Sequence, residues 1–305
     1  MTHHRAVRIV STTLAPATVI AASIALAGCS PAVLDPQGPV GAAEKTILVD
    51  SMVIMLAIVA PTLVAILTFA WWFRASNPRA RYLPDWNYSG RIELVVWSIP
   101  LLTILLLGGV IWIGSYQLDP AARLTSKVEP LEVQVVSLDW KWLFIYPGLG
   151  IAAVNTLVVP VGTPLHFTLT SASVMNAFFV PHLGSMIYTM NGMATQLNLQ
   201  ADREGVYAGL SSHFSGDGFA GMHFELRAVA PSAFDGWVEG VRRAGPVLDE
   251  GAYATLARPS ADVPPATFHS AVPGLFHAIV TQALAPAPGP PTGDPEQRVS
   301  PRSEH

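Results

Sequence analysis

Two long apolar runs near the start of the chain restrict its fold more than any other feature. Residues 47–73 contain one charged side chain, Asp50, and a second apolar run ends at residue 116. Each run exceeds the roughly 20 residues that a helix needs to cross a bilayer. Hydrophobic residues make up 51% of the chain and charged residues 12%, a composition too apolar for a soluble protein of this size. The sequence therefore predicts transmembrane helices over residues 47–73 and 92–116.

The single cysteine of the chain ends a secretion signal. Arg5 and Arg8 precede an apolar stretch of small residues, which closes in LAGC at residues 26–29. A basic start, an apolar middle and a small-residue end are typical of a signal peptide. The LAGC ending resembles bacterial lipoprotein signals, in which the cysteine is acylated after cleavage. We expect a lipoprotein signal peptide over residues 1–28 and a lipid such as palmitate on Cys29; a plain signal peptide with a chance cysteine is the alternative.

The charge of the segment between the two runs sets their orientation. Residues 74–91 carry four arginines against one acid, Asp85. Loops rich in Lys and Arg stay on the cytoplasmic side of a membrane, so we expect a cytoplasmic loop over residues 74–91. Cys29 and everything after Tyr116 then lie on the periplasmic side of a bacterial inner membrane, in agreement with the signal.

Short alternating segments follow residue 116. In residues 165–169 and 222–227, apolar and polar side chains alternate as in half-buried strands. Such segments recur at roughly ten-residue spacing, with Gly and Pro turns between them, and favour a sandwich or barrel over residues 119–230. The predicted strands are 131–139, 141–146, 152–159, 164–170, 177–180, 186–190, 195–200, 205–210 and 221–229.

The end of the chain changes character again. Ser232 and the apolar spacing after it predict a capped helix, with further helices near residues 248–257 and 273–284, so we expect a C-terminal helical segment over residues 231–284. Residues 285–305 hold little that could be buried and are expected to form a disordered tail. The formal net charge of −4 excludes a nucleic-acid-binding surface.

Four motifs resemble those of one family. They are RIELVVWSIP at residues 91–100, DWKWLFIYP at residues 139–147, SVMNAFFVP at residues 173–181, and the loop between residues 209 and 222. Together they resemble subunit II of haem-copper oxidases, and the C-terminal segment is similar to the extra piece of the quinol-oxidising, cytochrome o-type branch. The resemblance implies two transmembrane helices, an all-β cupredoxin-like Greek-key sandwich and a small C-terminal helical segment.

The departure from this family lies at its binuclear copper site. In the cytochrome c-oxidising branch, two bridging Cys thiolates hold the copper pair together with His, Met and carbonyl ligands, and soft sulfur suits copper. The corresponding positions here are Asn176 for the first His, Ser211 and Ser215 for the cysteines, His213 for the carbonyl donor, Phe219 for the second His, and Met222. A serine hydroxyl cannot replace a bridging thiolate at neutral pH. We therefore expect no metal, no cofactor and no catalytic residue in this chain.

Histidines and methionines elsewhere in the external domain have an ordinary interpretation. The histidines are expected to be solvated surface residues rather than a new metal site, and the methionines are expected to fill the core. These residues are His166, His182, His213, His223, Met175, Met186, Met190, Met193 and Met222.

Two tryptophans and one glutamate stand in the family motifs. Without a metal behind them, Trp140 and Trp142 are expected to serve packing or docking rather than electron transfer. Glu93 lies at the cytoplasmic mouth of the second apolar run. In related oxidases a glutamate of this motif lies near the entrance of a proton path, so the resemblance implies a possible proton-path entrance at Glu93; an ordinary interfacial carboxylate is the alternative.

The resemblance implies a subunit of an assembly. Neither apolar run contains a histidine that could bind haem. The implied function is a non-catalytic subunit II of a bacterial proton-pumping ubiquinol oxidase, which oxidises quinol and reduces oxygen to water. Haems and copper would belong to subunit I; further membrane subunits, membrane lipid and ubiquinol reached through the complex are the other expected partners. The alternatives are a free-standing membrane lipoprotein with a cupredoxin-like binding domain, and a cytochrome c oxidase subunit II with a degenerate copper site.

Overall fold

The computed structural model of the chain describes residues 32–81 and 83–289. The expected signal peptide and Cys29 lie outside the described residues, as do residues 290–305. The chain divides into one unit that ends at Asp35 and a second that begins at Pro36. The described end of the first unit is a single turn of 3-10 helix, Ala32–Leu34.

Two long helices open the second unit. Helix α1 covers Pro39–Trp72 and helix α2 covers Gly90–Gln117, and each is long and apolar enough to cross a membrane. None of the residues 51–72 or 90–113 is buried, so these helices do not form the core of a soluble domain. Helix α1 begins at Pro39 rather than at residue 47, because proline favours the first position of a helix.

The two helices approach each other closely at one point. Gly114 of α2 faces Ile47 of α1, and a Cβ at Gly114 would lie 2.8 Å from Cδ1 of Ile47. Small residues allow this kind of backbone approach between membrane helices.

The strands of the external domain follow α2. They are β1 Leu131–Leu138, β2 Lys141–Tyr146, β3 Ile151–Val154, β4 Thr156–Pro160, β5 Pro164–Ser171, β6 Asn176–Val180, β7 Gly184–Thr189, β8 Thr195–Gln200, β9 Gly205–Ser211, β10 His223–Val229, β11 Val247–Leu248, β12 Ala266–Phe268 and β13 Ser270–Ala271. The first sheet has the order β12-β3-β2-β1-β5-β8, the second has the order β4-β10-β9-β6-β7, and β11 and β13 form a small third sheet. The all-β sandwich that the resemblance implies is confirmed.

Aromatic side chains fill the space between the two sheets. Phe178 of β6 and Phe224 of β10 stack with 5.1 Å between their ring centroids. Trp142 of β2 lies edge-on to these two rings, at 5.4 and 5.7 Å. Pairs of this geometry contribute about 0.5–1.5 kcal/mol each beyond the burial of their area.

Two helices of the C-terminal segment cover the outer face of the first sheet, and its first helix packs against the aromatic cluster between the two sheets. Its helices are α3 Pro231–Arg243, α4 Glu250–Leu256 and α5 Leu275–Val280. Leu143 and Ile145 of β2 form one buried cluster with Tyr253 of α4 and Phe276 of α5. Strand β2 is therefore buried along its whole length, because each of its faces meets another layer.

The same segment contains three short strands that the sequence does not predict. Strand β12 extends the first sheet by pairing with β3, and β11 pairs in parallel with β13. Strands of two or three residues are too short to show alternation. Ala287, in the stretch whose composition predicts disorder, is buried, and its N–H donates to the carbonyl of Ala172 at 2.9 Å.

Asn155 divides a strand that the sequence predicts as continuous. Its φ of 54° lies in the left-handed region, which Asn adopts more readily than most residues. Its Oδ1 accepts from the N–H of Trp142 at 2.9 Å, and its Nδ2 donates to the carbonyl of Val263 at 2.7 Å. The expectation of one strand over residues 152–159 is therefore wrong: β3 joins the first sheet and β4 joins the second.

The first turns of α1 are fixed to the sandwich. The N–H of Gly41 donates to the carbonyl of Leu183 at 2.9 Å. Oε1 of Glu44 accepts from the N–H of Ser185 at 2.9 Å and from its hydroxyl at 2.7 Å. Gly184 allows this approach, because its φ is 101° and a Cβ there would lie 2.7 Å from the backbone nitrogen of Gly41.

Candidate functional site

The positions that the resemblance assigns to copper ligands meet at one end of the second sheet. Asn176 is the first residue of β6 and Ser211 is the last residue of β9, and these strands are paired. Ser215 lies in the loop between β9 and β10, and Met222 ends that loop. All four residues are buried. The fold therefore brings these predicted site residues together.

Hydrogen bonds within the site occupy its polar groups. The hydroxyl of Ser211 lies 3.1 Å from Oδ1 of Asn176 and 3.2 Å from the carbonyl of His213, to either of which it can donate. Nδ2 of Asn176 donates to the carbonyl of Val174 at 3.3 Å. The hydroxyl of Ser215 lies 3.9 Å from the sulfur of Met222.

Trp140 holds the loop of this site in place. Its φ is 67°, and its Nε1 donates to the carbonyl of Ser215 at 3.1 Å. Its ring packs on Gly218, where a Cβ would lie 2.2 Å from the indole. The side chain is only 8% exposed. Trp140 thus has the packing role that the sequence predicts.

His213 and Phe219 contact other side chains at the rim of the site. The ring of His213 lies edge-on to Tyr188 with 5.7 Å between centroids. Phe219 lies 5.6 Å from Phe214. A phenyl ring carries no ligand atom, so Phe219, at the position that the resemblance assigns to the second copper-binding histidine, offers no donor.

The donor set does not fit a binuclear copper centre. It consists of one amide, two hydroxyls and one thioether, and none of these groups can bridge two copper ions as a thiolate does. Among residues 32–81 and 83–289, no group of three or more His, Cys, Asp or Glu side chains is arranged to hold a metal.

The environments of the other histidines differ. His223 is exposed, as expected, but His166 is only 7% exposed, and its Nδ1 lies 2.8 Å from Oδ1 of Asn198. The expectation of a solvated His166 is therefore wrong. Asn198 in turn donates from its backbone N–H and its Nδ2 to the carbonyl of Pro120, so the segment after α2 lies beside this pair. A contact so distant in sequence leaves no local signal.

Three of the five methionines do not fill the core. Met222 is buried, but Met175, Met186 and Met193 are 38%, 41% and 49% exposed. Met186 lies on β7, which is an edge strand of the second sheet. The core assignment failed for these three residues because an apolar type alone does not distinguish an edge strand or turn from the interior.

Sequence reasoning missed a buried charged pair beside Trp140. Nζ of Lys141 donates to the carbonyls of Asp139 and Arg258 at 3.2 and 2.8 Å and to the hydroxyl of Ser260 at 2.7 Å. Burial lowers the pKa of Lys141 to about 8, and the nearby Asp139 partly opposes this shift. The signal available in the sequence was a pair of opposite charges inside an aromatic motif.

Asp139 is buried with it. The hydroxyl of Ser173 donates to its Oδ1, while Oδ2 has no hydrogen-bond partner among the described residues. Burial raises the pKa of this carboxyl group, and the Ser173 hydrogen bond and Lys141 oppose that shift. The pair connects the β1–β2 turn to the segment after α4, so it is a structural link within the domain.

Glu93 lies in the first turn of α2, at the end of the helix opposite the β domain, and it is exposed. A carboxylate in the first turn is favoured by the helix dipole, which alone would account for an acid here. Cys29 lies outside the described residues.

Known proteins resemble the chain over most of its length. A family described as "Cytochrome C oxidase subunit II, periplasmic domain" matches residues 131–229, and "COX Aromatic Rich Motif" matches residues 242–286. The periplasmic domain of cytochrome oxidase subunit II from Bradyrhizobium japonicum is 25% identical, with a TM-score of 0.37, and the match covers 39% of this chain and 98% of that one.

Two relatives share nearly half of their residues with the chain. "Cytochrome bo(3) ubiquinol oxidase subunit 2" of Pseudomonas aeruginosa is 47% identical over 86% of this chain and 80% of its own length. "Ubiquinol oxidase subunit 2" of Acetobacter aceti is 48% identical, with 86% of each chain covered. Identity at this level over both apolar helices and the sandwich shows that the chain belongs to the ubiquinol oxidase subunit 2 family.

Proposed function

We propose that the chain is the non-catalytic subunit II of a bacterial ubiquinol oxidase. The complex would oxidise ubiquinol, reduce oxygen to water and translocate protons across the inner membrane. The names of the relatives support the complex. The observation that carries the non-catalytic role is the hydrogen bonding at the expected copper site, where the side chains of Asn176 and Ser211 bond to each other and to the backbone.

The nature of the electron donor explains why the site needs no metal. A water-soluble donor must pass electrons through the external domain to a haem in the membrane, and a relay metal serves that step. Ubiquinol diffuses in the lipid and can reach a membrane subunit directly. The sandwich then keeps a structural task, in which its packing on neighbouring subunits replaces electron transfer.

The proposed partner is the large subunit I, which would hold the haems and the catalytic copper. The side chains of α1 and α2 support a membrane partner, since so few of them contact each other and none of the residues 51–72 is buried. Further membrane subunits and lipid would cover the rest of the two helices. Ubiquinol would be bound by the complex, with no cofactor held by this chain.

The proposed topology places the sandwich in the periplasm and residues 74–91 in the cytoplasm. The four arginines of that loop support this orientation. Cleavage after residue 28 and acylation of Cys29 would add an N-terminal lipid anchor. Mass spectrometry of the mature N-terminus tests the anchor directly: an unmodified Cys29 contradicts it.

A tagged, purified complex tests the function. We expect haem-containing subunits to co-purify, oxygen uptake to depend on ubiquinol, and reduced cytochrome c to support none. Electron paramagnetic resonance of the complex should show no mixed-valence dicopper signal. That signal in the external domain, or oxygen uptake driven by cytochrome c, would contradict the proposal.

Glu93 is proposed as the entrance of a proton path into the large subunit. Replacing Glu93 with Ala should then lower oxidase turnover at least severalfold while the complex still assembles. Asp85→Asn, which removes an acid from the loop just before α2, is the control and should leave turnover unchanged. Full turnover in Glu93→Ala would contradict the proton-path role. The favourable interaction of a carboxylate with the helix dipole would then be sufficient to account for Glu93.

A further inference from the structure

A cavity of 620 Å³ lies where α1 ends and the loop between the two helices begins. Its lining consists of Trp72, Phe73, Arg79, Arg81, Leu83 and Trp86. Four of these side chains are large and apolar, and each is exposed in the chain. Trp71 and Trp72 close α1, at the level where aromatic side chains mark the membrane interface. The cavity therefore lies at the boundary between hydrocarbon and headgroups.

The two lining arginines have free guanidinium groups. Among the described residues, the side chains of Arg79 and Arg81 make no hydrogen bond or ion pair, and no acid lines the cavity. Arg74 of the same loop differs: it donates to the carbonyl of Trp71 at 2.7 Å and lies 5.0 Å above that indole ring. Arg74 thus caps the end of α1, whereas the side chains of Arg79 and Arg81 are available to bind a ligand.

We propose that this cavity binds the headgroup of an anionic phospholipid. Two guanidinium groups can hold a phosphodiester through paired hydrogen bonds, and the indole and phenyl rings suit the glycerol and the upper acyl chains. The absence of an acid in the lining disfavours a zwitterionic lipid, whose ammonium or choline group would meet two cations. The cytoplasmic position of the loop rests on the proposed function; the binding chemistry does not.

Lipid-specific quenching of tryptophan fluorescence tests the site. The full chain is placed in phosphatidylcholine vesicles that contain a minor, equal fraction of either dibrominated phosphatidylglycerol or dibrominated phosphatidylcholine, present in both leaflets. Because Trp72 and Trp86 line the cavity, we expect stronger quenching by the phosphatidylglycerol. A Lys or Arg near an anionic surface contributes about fivefold in affinity, so each arginine removed should lower the preference by about that factor.

Matched variants separate a site from general charge attraction. Arg79→Gln and Arg81→Gln should each reduce the preference for phosphatidylglycerol, whereas Arg91→Gln, which removes the same charge from the first turn of α2 outside the cavity, should not. Arg79→Lys keeps the positive charge but cannot form the paired hydrogen bonds of a guanidinium group, so its preference for phosphatidylglycerol should be intermediate. Equal losses in all three glutamine variants would overturn the proposal in favour of diffuse attraction.

Two further measurements complete the test. Excess inorganic phosphate should not abolish the preference; if it does, the cavity is a site for a free anion and the proposal is wrong. The preference should persist in the purified complex, and its loss there would show that another subunit covers the cavity, which also overturns the proposal. Quinol oxidation does not enter these measurements, so their failure leaves the proposed function untouched.

Discussion

At the scale of single residues, the exchange of sulfur for oxygen decides the chemistry of the site. Serine differs from cysteine only in its Oγ atom, and the hydroxyls of Ser211 and Ser215 act as hydrogen-bond groups. The carbonyl of His213, which the resemblance aligns with a copper ligand, lies 3.2 Å from the Ser211 hydroxyl and can accept a hydrogen bond from it. Polar atoms at these positions are thereby satisfied by their own neighbours.

Ser211→Ala tests this structural role. Loss of the hydroxyl leaves Oδ1 of Asn176 without its Ser211 hydrogen bond, and we expect the free energy of unfolding to fall by about 1–2 kcal/mol. Ubiquinol-dependent oxygen uptake should stay unchanged. Ser212→Ala, at the exposed neighbouring position, is the control for stability. Lower turnover in Ser211→Ala at unchanged stability would contradict a purely structural role.

Lys141 should make stability depend on pH in the alkaline range. Its pKa in the fold is about 8, against 10.5 for an exposed lysine. Above pH 8 the unfolded chain therefore binds more protons than the folded one, and the free energy of unfolding rises with pH by up to about 1.4 kcal/mol per unit. Denaturant unfolding of the full chain between pH 8 and about 9.5, below the ionisation of tyrosine, measures this slope.

Lys141→Met removes the titrating group, so this part of the slope should vanish. At pH 7 the variant should also lose about 1–3 kcal/mol, because the buried carbonyls of Asp139 and Arg258 lose the donor that they share. Lys127→Met, at an exposed position of the same domain, should behave like the unchanged chain. An equal slope in all three proteins would show that Lys141 titrates as an exposed lysine.

At the scale of elements, sequence patterns located strands better than the joints between them. Strands β2 and β8 begin and end where alternation and turn residues predict. The break at Asn155 was missed, because the signal for it lies in Val263, which receives the amide hydrogen bond from more than one hundred residues away. Short strands such as β12 depend on a partner strand and leave no periodicity of their own.

Asn155→Ala tests the joint between β3 and β4. The change removes two buried hydrogen bonds and places a less tolerant residue at a φ of 54°, so we expect a loss of about 2–4 kcal/mol. Asn155→Gly relieves the backbone but not the hydrogen bonds and should lose less. Thermal unfolding followed by tryptophan fluorescence provides the comparison. Equal losses in both variants would assign the whole effect to the side-chain hydrogen bonds.

At the scale of the whole molecule, the sequence predicted the membrane helices, the sandwich and the family, because each depends on a pattern within one segment. Contacts between segments were not predictable in this way. The link from Lys141 to Arg258 and the burial of His166 both join residues that only the fold brings together. At the positions that the resemblance assigns to copper ligands, the residue types predict that no copper is bound, and the structure adds the hydrogen bonds between Asn176 and Ser211.

The attachment of α1 to the sandwich is the joint that orients the whole molecule. Glu44→Ala removes a carboxylate that accepts from both the N–H and the hydroxyl of Ser185, and we expect a local loss of about 2–3 kcal/mol. Amide exchange in β7 should accelerate, and spin-label distances between α1 and the sandwich should broaden. Glu44→Gln, which keeps one acceptor, should fall between. Unchanged exchange in Glu44→Ala would assign the joint to Gly41 and Gly184 alone.

The rigid attachment of α1 to the sandwich has consequences for any molecule that binds the sandwich from the aqueous side. Helix α1 and the sandwich rotate together. The face of α1 that packs against a neighbouring membrane helix therefore determines which surface of the sandwich points outward. A substitution on the packed face of α1 would reorient the sandwich without changing any residue of the sandwich. The packed face of α1 in the membrane and the exposed surface of the sandwich are therefore expected to evolve together.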